Sequence, residues 1–252
     1  MAQMDDVYLD PSHDERTPSI VNKAMAWSAH LLTATGAVWG LLAILAISNQ
    51  QWLLAFAWMA VSVFVDSFDG LWARRVSVKR VLPNFDGALL DNMIDFLNYV
   101  VVPAYFLYAS QMLPMQYALP GAALILLASA YQFCQGDAKT DDHYFTGFPS
   151  YWNIMVYYMF ILEWGGWVNL AVIVVLSALV FVPIKYVYPT RTATFQRLTM
   201  TLACLWGVVN VLILARYPLH ERWLVWASLL FVVYYCGLSV HSMLSGRKTS
   251  VA

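Results

Sequence analysis

Charge is what this chain has least of. Only 12% of its 252 residues are Asp, Glu, Lys or Arg, while 61% are hydrophobic. An ordinary soluble domain carries roughly a quarter of its residues as charges, so that class is excluded. Acids and bases nearly cancel, with a formal net charge of −1, and nothing marks a nucleic-acid partner or a strongly acidic one. Cysteine is equally sparse. Cys134, Cys204 and Cys236 are scattered, with neither the spacing of a zinc site nor an evident disulfide framework. They read as small apolar residues. The polar start, with Asp5, Asp6, Asp10, Asp14 and Glu15, lacks the basic region of a cleaved signal peptide, so the first apolar run is expected to remain in the mature protein. Strong internal repeats and low-complexity tracts are missing too.

Long apolar runs are abundant. Windows of about 20 apolar residues predict eight spans, over 25–47, 52–72, 87–109, 115–133, 151–163, 167–186, 198–214 and 223–240. The range is six to eight, because 151–163 is short and the break Glu163-Trp164-Gly165-Gly166 can be a bend inside one longer element. The expected fold is all-α, a polytopic helical membrane bundle forming one domain over 1–252. Within it 1–24 is a polar tail, 25–241 carries the helices and 242–252 is a second tail.

Basic residues set the orientation, since short cytoplasmic loops carry the excess of Lys and Arg. With the amino terminus inside, twelve of the fourteen fall on the cytoplasmic side, and only Arg216 and Arg222 fall outside. Both termini are then cytoplasmic, and the number of crossings is even. The cytoplasmic connections 75–85, 136–150 and 189–197 are long, whereas outer connections such as 48–51 and 111–114 are short.

Against this background two acidic clusters stand out, Asp66 and Asp69 before Arg74, then Asp91 and Asp95 after Gly87. The second span runs inward and ends at Arg74-Arg75; the third runs back from Gly87. The four aspartates therefore converge near the cytoplasmic boundary. Spacings of three and four residues put each pair on one helix face. Carboxylates this close repel, and the available relief is protonation, basic partners or metal. Hard divalent cations such as Mg2+ or Mn2+ take oxygen ligands, and two of them would neutralise four aspartates. Two ions near an interface suit in-line phosphoryl chemistry. Arg74 reads as a phosphate ligand with planar bidentate donors. Gly70 and Gly87 allow a nucleotide or phosphate near the backbone, and Ala73 keeps that face shallow; the bland reading of all three is close helix packing. Asp86 reads as a helix N-cap. Two snorkelling helix ends would be the bland reading of the aspartates, but Asp has a short stem and Asp66 and Asp95 sit deepest.

These residues resemble a known signature. Asp66-x-x-Asp69-Gly70-x-x-Ala73-Arg74, followed by Gly87-x-x-x-Asp91-x-x-x-Asp95, matches at eight fixed positions that of the CDP-alcohol phosphotransferases. The resemblance implies an enzyme that displaces CMP from a CDP-linked donor by attack of an alcohol on phosphate. It implies Asp66, Asp69, Asp91 and Asp95 as ligands of two Mn2+ or Mg2+ ions, with Asp95 also accepting the alcohol proton. It assigns Asp66, Gly70, Ala73, Arg74 and Gly87 to the nucleotide and diphosphate, and suggests a homodimer. The twelve residues between Arg74 and Gly87 exceed the common form of the family. The longer loop resembles the bacterial phosphatidylcholine synthase branch, which joins choline to CDP-diacylglycerol, as does the segment from Asp141 to Asn153. That likeness places the chain in a bacterial inner membrane with its active site toward the cytoplasm.

Choline carries a quaternary ammonium, which proteins meet with aromatic faces and often a carboxylate. Candidates on the cytoplasmic side are Asp142, His143, Tyr144, Tyr151, Trp152 and Tyr186; a lipid-interface aromatic belt explains such residues equally well. Lys185, Arg191 and Arg197 can meet the diphosphate or lipid head groups. His30 reads as a packed core histidine. Serine, inositol or glycerol phosphate are the alternative acceptors within the class. A divalent-cation transporter is the alternative outside it, disfavoured because such a path needs acids near the midplane and no neighbouring Arg.

Overall fold

The computed structural model describes residues 19–136, 144–187, 195–219 and 221–249, with side chains to 242. Helix α1 (Ile20–Ser48) starts where the Ser19 hydroxyl accepts the Asn22 amide at 3.2 Å, which satisfies one of the free amides at the helix start. Its 29 residues reach well beyond the ~30 Å of a hydrocarbon core. A short link leads to α2 (Trp52–Arg75), whose last turn holds Arg74 and Arg75, cations placed favourably at a helix C-terminus. A single turn, α3 (Val78–Val81), lies in the basic loop. Helix α4 (Gly87–Phe96) begins at the expected cap: the Asp86 carboxylate accepts the Leu89 amide at 2.9 Å. It passes through a π turn (Leu97–Val101) into α5 (Val102–Ala109).

A short 3-10 turn (Met115–Tyr117) then opens α6 (Ala118–Cys134). Strand β1 (Tyr144–Thr146), α7 (Trp152–Ile161), α8 (Gly166–Leu179), β2 (Lys185–Val187), α9 (Gln196–Ala215) and α10 (Arg222–Thr249) follow. Among the described residues five helices are long and apolar enough to cross a membrane, and α7 and α8 are shorter apolar ones. The protein is an all-α polytopic membrane bundle.

Helices α1 and α2 pack along their length, and α1 also meets α4 and α5. Small residues permit this closeness: a Cβ at Gly36 would stand 2.3 Å from Ile94 Cγ2, and one at Gly40 2.8 Å from Asn98 Oδ1. The core centres on rings from α2, α5 and α7, with Phe56 4.6 Å from Phe106 and 5.5 Å from Tyr157. Helices α9 and α10 join the body through a polar knot: Trp206 Nε1 donates to the Tyr158 hydroxyl at 2.8 Å, Tyr158 pairs with Ser228, and Ser228 donates to Asn210 Oδ1 at 2.9 Å. In hydrocarbon such pairs replace water that is not there. The outer face of α9, with Leu198, Leu205, Val208 and Leu212 exposed, is apolar, as a lipid-facing surface must be.

The structure corrects two sequence expectations. The sixth span was expected to reach Tyr186, but α8 stops at Leu179, and residues 185–187 pair antiparallel with 144–146, Phe145 opposite Tyr186. Pro183 cannot continue the helix, and the Phe148 amide takes the Leu179 carbonyl at 3.0 Å. The break at residues 163–166 separates two helices, with Glu163 at φ 51°, so it is no bend within one. Helix α10 continues past its expected apolar span to Thr249. The third span is helical from Gly87 to Ala109 as expected, but interrupted by a π turn.

Candidate active site

Each of the first helices contributes one wall. Asp66 and Asp69 come from the last turns of α2, Asp91 and Asp95 from α4, and Thr33 and Gly36 from the face of α1 between them; all six line one small cavity together with Ser62 and Asn98. Asp66, Asp91 and Asp95 are half-buried, and each offers an oxygen within 4.8 Å of the others. Asp69 lies outside that triplet. It is 3% exposed and stands within electrostatic reach of Asp66 and Asp91.

An all-oxygen donor set from two facing helices fits a hard divalent cation, and neither nitrogen nor sulfur enters the triplet. The residues present therefore suit the ions that the motif implies. A polar side chain that sequence reasoning missed backs one of these acids: the Tyr99 hydroxyl donates to Asp66 Oδ2 at 2.8 Å. Its signal was available, since Asp91, Asp95 and Tyr99 recur every four residues.

The remaining motif positions, Gly70, Ala73, Arg74 and Gly87, are not in the lining of this cavity. Arg74 is exposed near the end of α2, and a Cβ at Gly70 would stand 3.4 Å from its Nη1. The guanidinium thus lies over Gly70, one turn from Asp69. Ala73 is half-buried beside the small cluster Ala26, Ala29 and Val78. Gly87 is closely packed: a Cβ there would stand 2.4 Å from His30 Cε1. His30 is the packed histidine expected, with its ring 4.3 Å from that of Phe85.

The acceptor candidates separate into groups. Tyr151 is half-buried, its ring 6.4 Å from Tyr99 and 6.2 Å from Phe145. Tyr186 shares the Phe145 face of the strand pair and lies 6.5 Å from Phe148; burial pushes its phenol above the ordinary value. Tyr144 is on the other face, with Lys185 Nζ 5.5 Å from its ring centre, so one aromatic face there already meets a cation. Trp152 is fully buried and donates from Nε1 to Ser129 at 2.8 Å, which makes it part of the core. Asp142 and His143 lie outside the described residues.

Comparison with known proteins agrees with this geometry. The family model for CDP-alcohol phosphatidyltransferase matches residues 26–184. A phosphatidylcholine synthase from Legionella pneumophila is 43% identical over 223 residues, covering 86% of this chain and 88% of that protein. One from Pseudomonas aeruginosa is 38% identical, covering 79% and 83%. One from Borreliella burgdorferi is 34% identical, covering 91% and 97%. With the acid motif, the converging carboxylates and a match across most of its length, the chain belongs to the CDP-alcohol phosphatidyltransferase family.

Proposed function

We propose that this membrane enzyme transfers the phosphatidyl group of CDP-diacylglycerol to choline and releases CMP. The observation that carries the reading is the convergence of Asp66, Asp91 and Asp95 within 4.8 Å, in a chain whose relatives named phosphatidylcholine synthase match it over most of their length. In balance, the choline oxygen forms a bond to the lipid-bearing phosphorus, the bond from that phosphorus to the CMP oxygen breaks, and CMP takes the electron pair.

Asp66, Asp69, Asp91 and Asp95 would hold two Mn2+ or Mg2+ ions. Bound there, such ions neutralise diphosphate charge and polarise its oxygens. Arg74 grips the diphosphate with paired donors, over the open surface left by Gly70 and Ala73. Asp95 accepts the choline hydroxyl proton. The ammonium end is met by Tyr151, Phe145 and Tyr186; of these rings Tyr151 adjoins Tyr99, the partner of Asp66. Trp152 and Gly87 support the site by packing. The active site faces the cytoplasm of a bacterial inner membrane, an orientation supported by the basic loops, and the working unit is a homodimer.

Purified protein supplied with CDP-diacylglycerol and a labelled alcohol tests this. Phosphatidylcholine and CMP should form in equal amounts with choline. Turnover of serine, inositol or glycerol phosphate but not choline would overturn the acceptor, and manganese uptake by proteoliposomes without CMP would favour transport.

A further inference from the structure

The π turn does something that neither the motif nor the family match assigns. Two successive side chains of Leu97–Val101 reach two different helices. Asn98 Nδ2 donates to the Gly36 carbonyl of α1 at 3.0 Å, and the Tyr99 hydroxyl donates to Asp66 Oδ2 of α2 at 2.8 Å. A π turn inserts an extra residue into the helical repeat, and such turns are frequent at functional sites. Here one of its side chains meets the acid cluster.

Three carboxylates within 4.8 Å repel each other, and a free aspartate relieves that by rotating away. A short hydrogen bond on one oxygen opposes that rotation. A neutral donor does so without cancelling the negative charge that a cation needs, as a lysine or arginine would. The Tyr99 ring meets Tyr151 at 6.4 Å, so hydroxyl and ring have separate neighbours.

We propose that Tyr99 is a positioning residue of the acid cluster: its hydroxyl, carried on the π turn, fixes the Asp66 carboxylate so that it acts with Asp91 and Asp95 on one divalent cation. This rests on reading the cluster as a cation site.

The test is Mn2+ binding to the purified full-length protein in detergent, with no substrate, read as free Mn2+ by electron paramagnetic resonance. Tyr99→Phe removes one oxygen and keeps the ring. It should bind Mn2+ about 10-fold more weakly or worse, as loss of an outer partner of a metal ligand does, with the KM for choline close to that of the parent. Tyr158→Phe cuts a polar tie away from the acid cavity, and should lower the melting temperature with Mn2+ affinity close to the parent's. Should Tyr99→Phe not fold, Tyr99→Leu is titrated instead; it has neither a donor nor a metal ligand and should bring the same loss. Parental Mn2+ affinity in these Tyr99 variants, or equal weakening by Tyr158→Phe, overturns the proposal. If the parent itself binds no Mn2+, the cation reading beneath it fails instead.

Discussion

The imidazole of His30 fills the space that a side chain at Gly87 would need: a Cβ there would stand 2.4 Å from His30 Cε1 and 3.0 Å from Nδ1. The first glycine of the second acidic half-motif thus lets α4 close on α1, which brings Asp91 and Asp95 opposite Asp66. Gly87→Ala should destabilise the protein by about 1–3 kcal/mol through overpacking and lower activity with it. Removing the ring should relieve both effects, so His30→Ala with Gly87→Ala should melt closer to the parent than the sum of the single changes predicts. Melting temperatures and CMP release in all three variants check this. Unchanged stability with weakened nucleotide binding would instead put Gly87 against the nucleotide.

Asp95 stands on α4 one turn beyond Asp91, within the converging triplet. As the proton acceptor its loss should fall on turnover. Asp95→Asn should lower kcat by roughly 10²-fold or more, the scale of positioned acid–base catalysis. Steady-state CMP release at saturating choline and CDP-diacylglycerol measures it; a raised KM with unchanged kcat would remove Asp95 from the proton transfer.

Arg74, whose guanidinium lies over Gly70, should resist its nearest charge-preserving replacement. A lysine offers a point charge where the diphosphate is held by a planar fork. Arg74→Lys is expected to raise the KM for CDP-diacylglycerol by about 10-fold, near the value of one charge-assisted hydrogen bond, and to leave the KM for choline alone. Equal changes in both constants would point to a folding defect.

Tyr151 and Trp152 are chain neighbours with opposite expected phenotypes. Tyr151→Leu should raise the KM for choline by roughly 2- to 30-fold, matching about 0.5–2 kcal/mol for a cation over an aromatic face, with little change in melting temperature. Trp152→Leu, in a fully buried position that donates to Ser129, should chiefly lower the melting temperature. Parallel thermal melts and choline titrations separate the two, and a choline effect confined to Trp152 would reverse the assignment.

The sequence made the spans legible because apolar length survives without an alignment: residues 52–72 became Trp52–Arg75, and 115–133 ends one residue short of Cys134. The aspartate convergence was legible for the same local reason, since spacings of three and four fix a helix face. Contacts between distant segments were not. The three-residue strands Tyr144–Thr146 and Lys185–Val187 are too short for an alternation signal, and the second overlaps the end of a run expected to be helix. Thr33, Gly36 and Ser62 enter the cavity from unremarkable positions in apolar helices, where only packing reveals them. Trp152 looked like Tyr151 in sequence, and burial alone tells them apart.

The proposed chemistry requires Asp66, Asp91 and Asp95, with Asp69 behind them, to cage divalent cations where the diphosphate binds. Mn2+ titration of the purified protein with CMP present, followed by electron paramagnetic resonance, decides whether they do. Two bound Mn2+ per chain are expected, with the spin coupling of neighbouring ions, and fewer in Asp66→Asn and Asp91→Asn. Folded parent protein that binds no Mn2+, or binds it equally well without these carboxylates, would refute the cage.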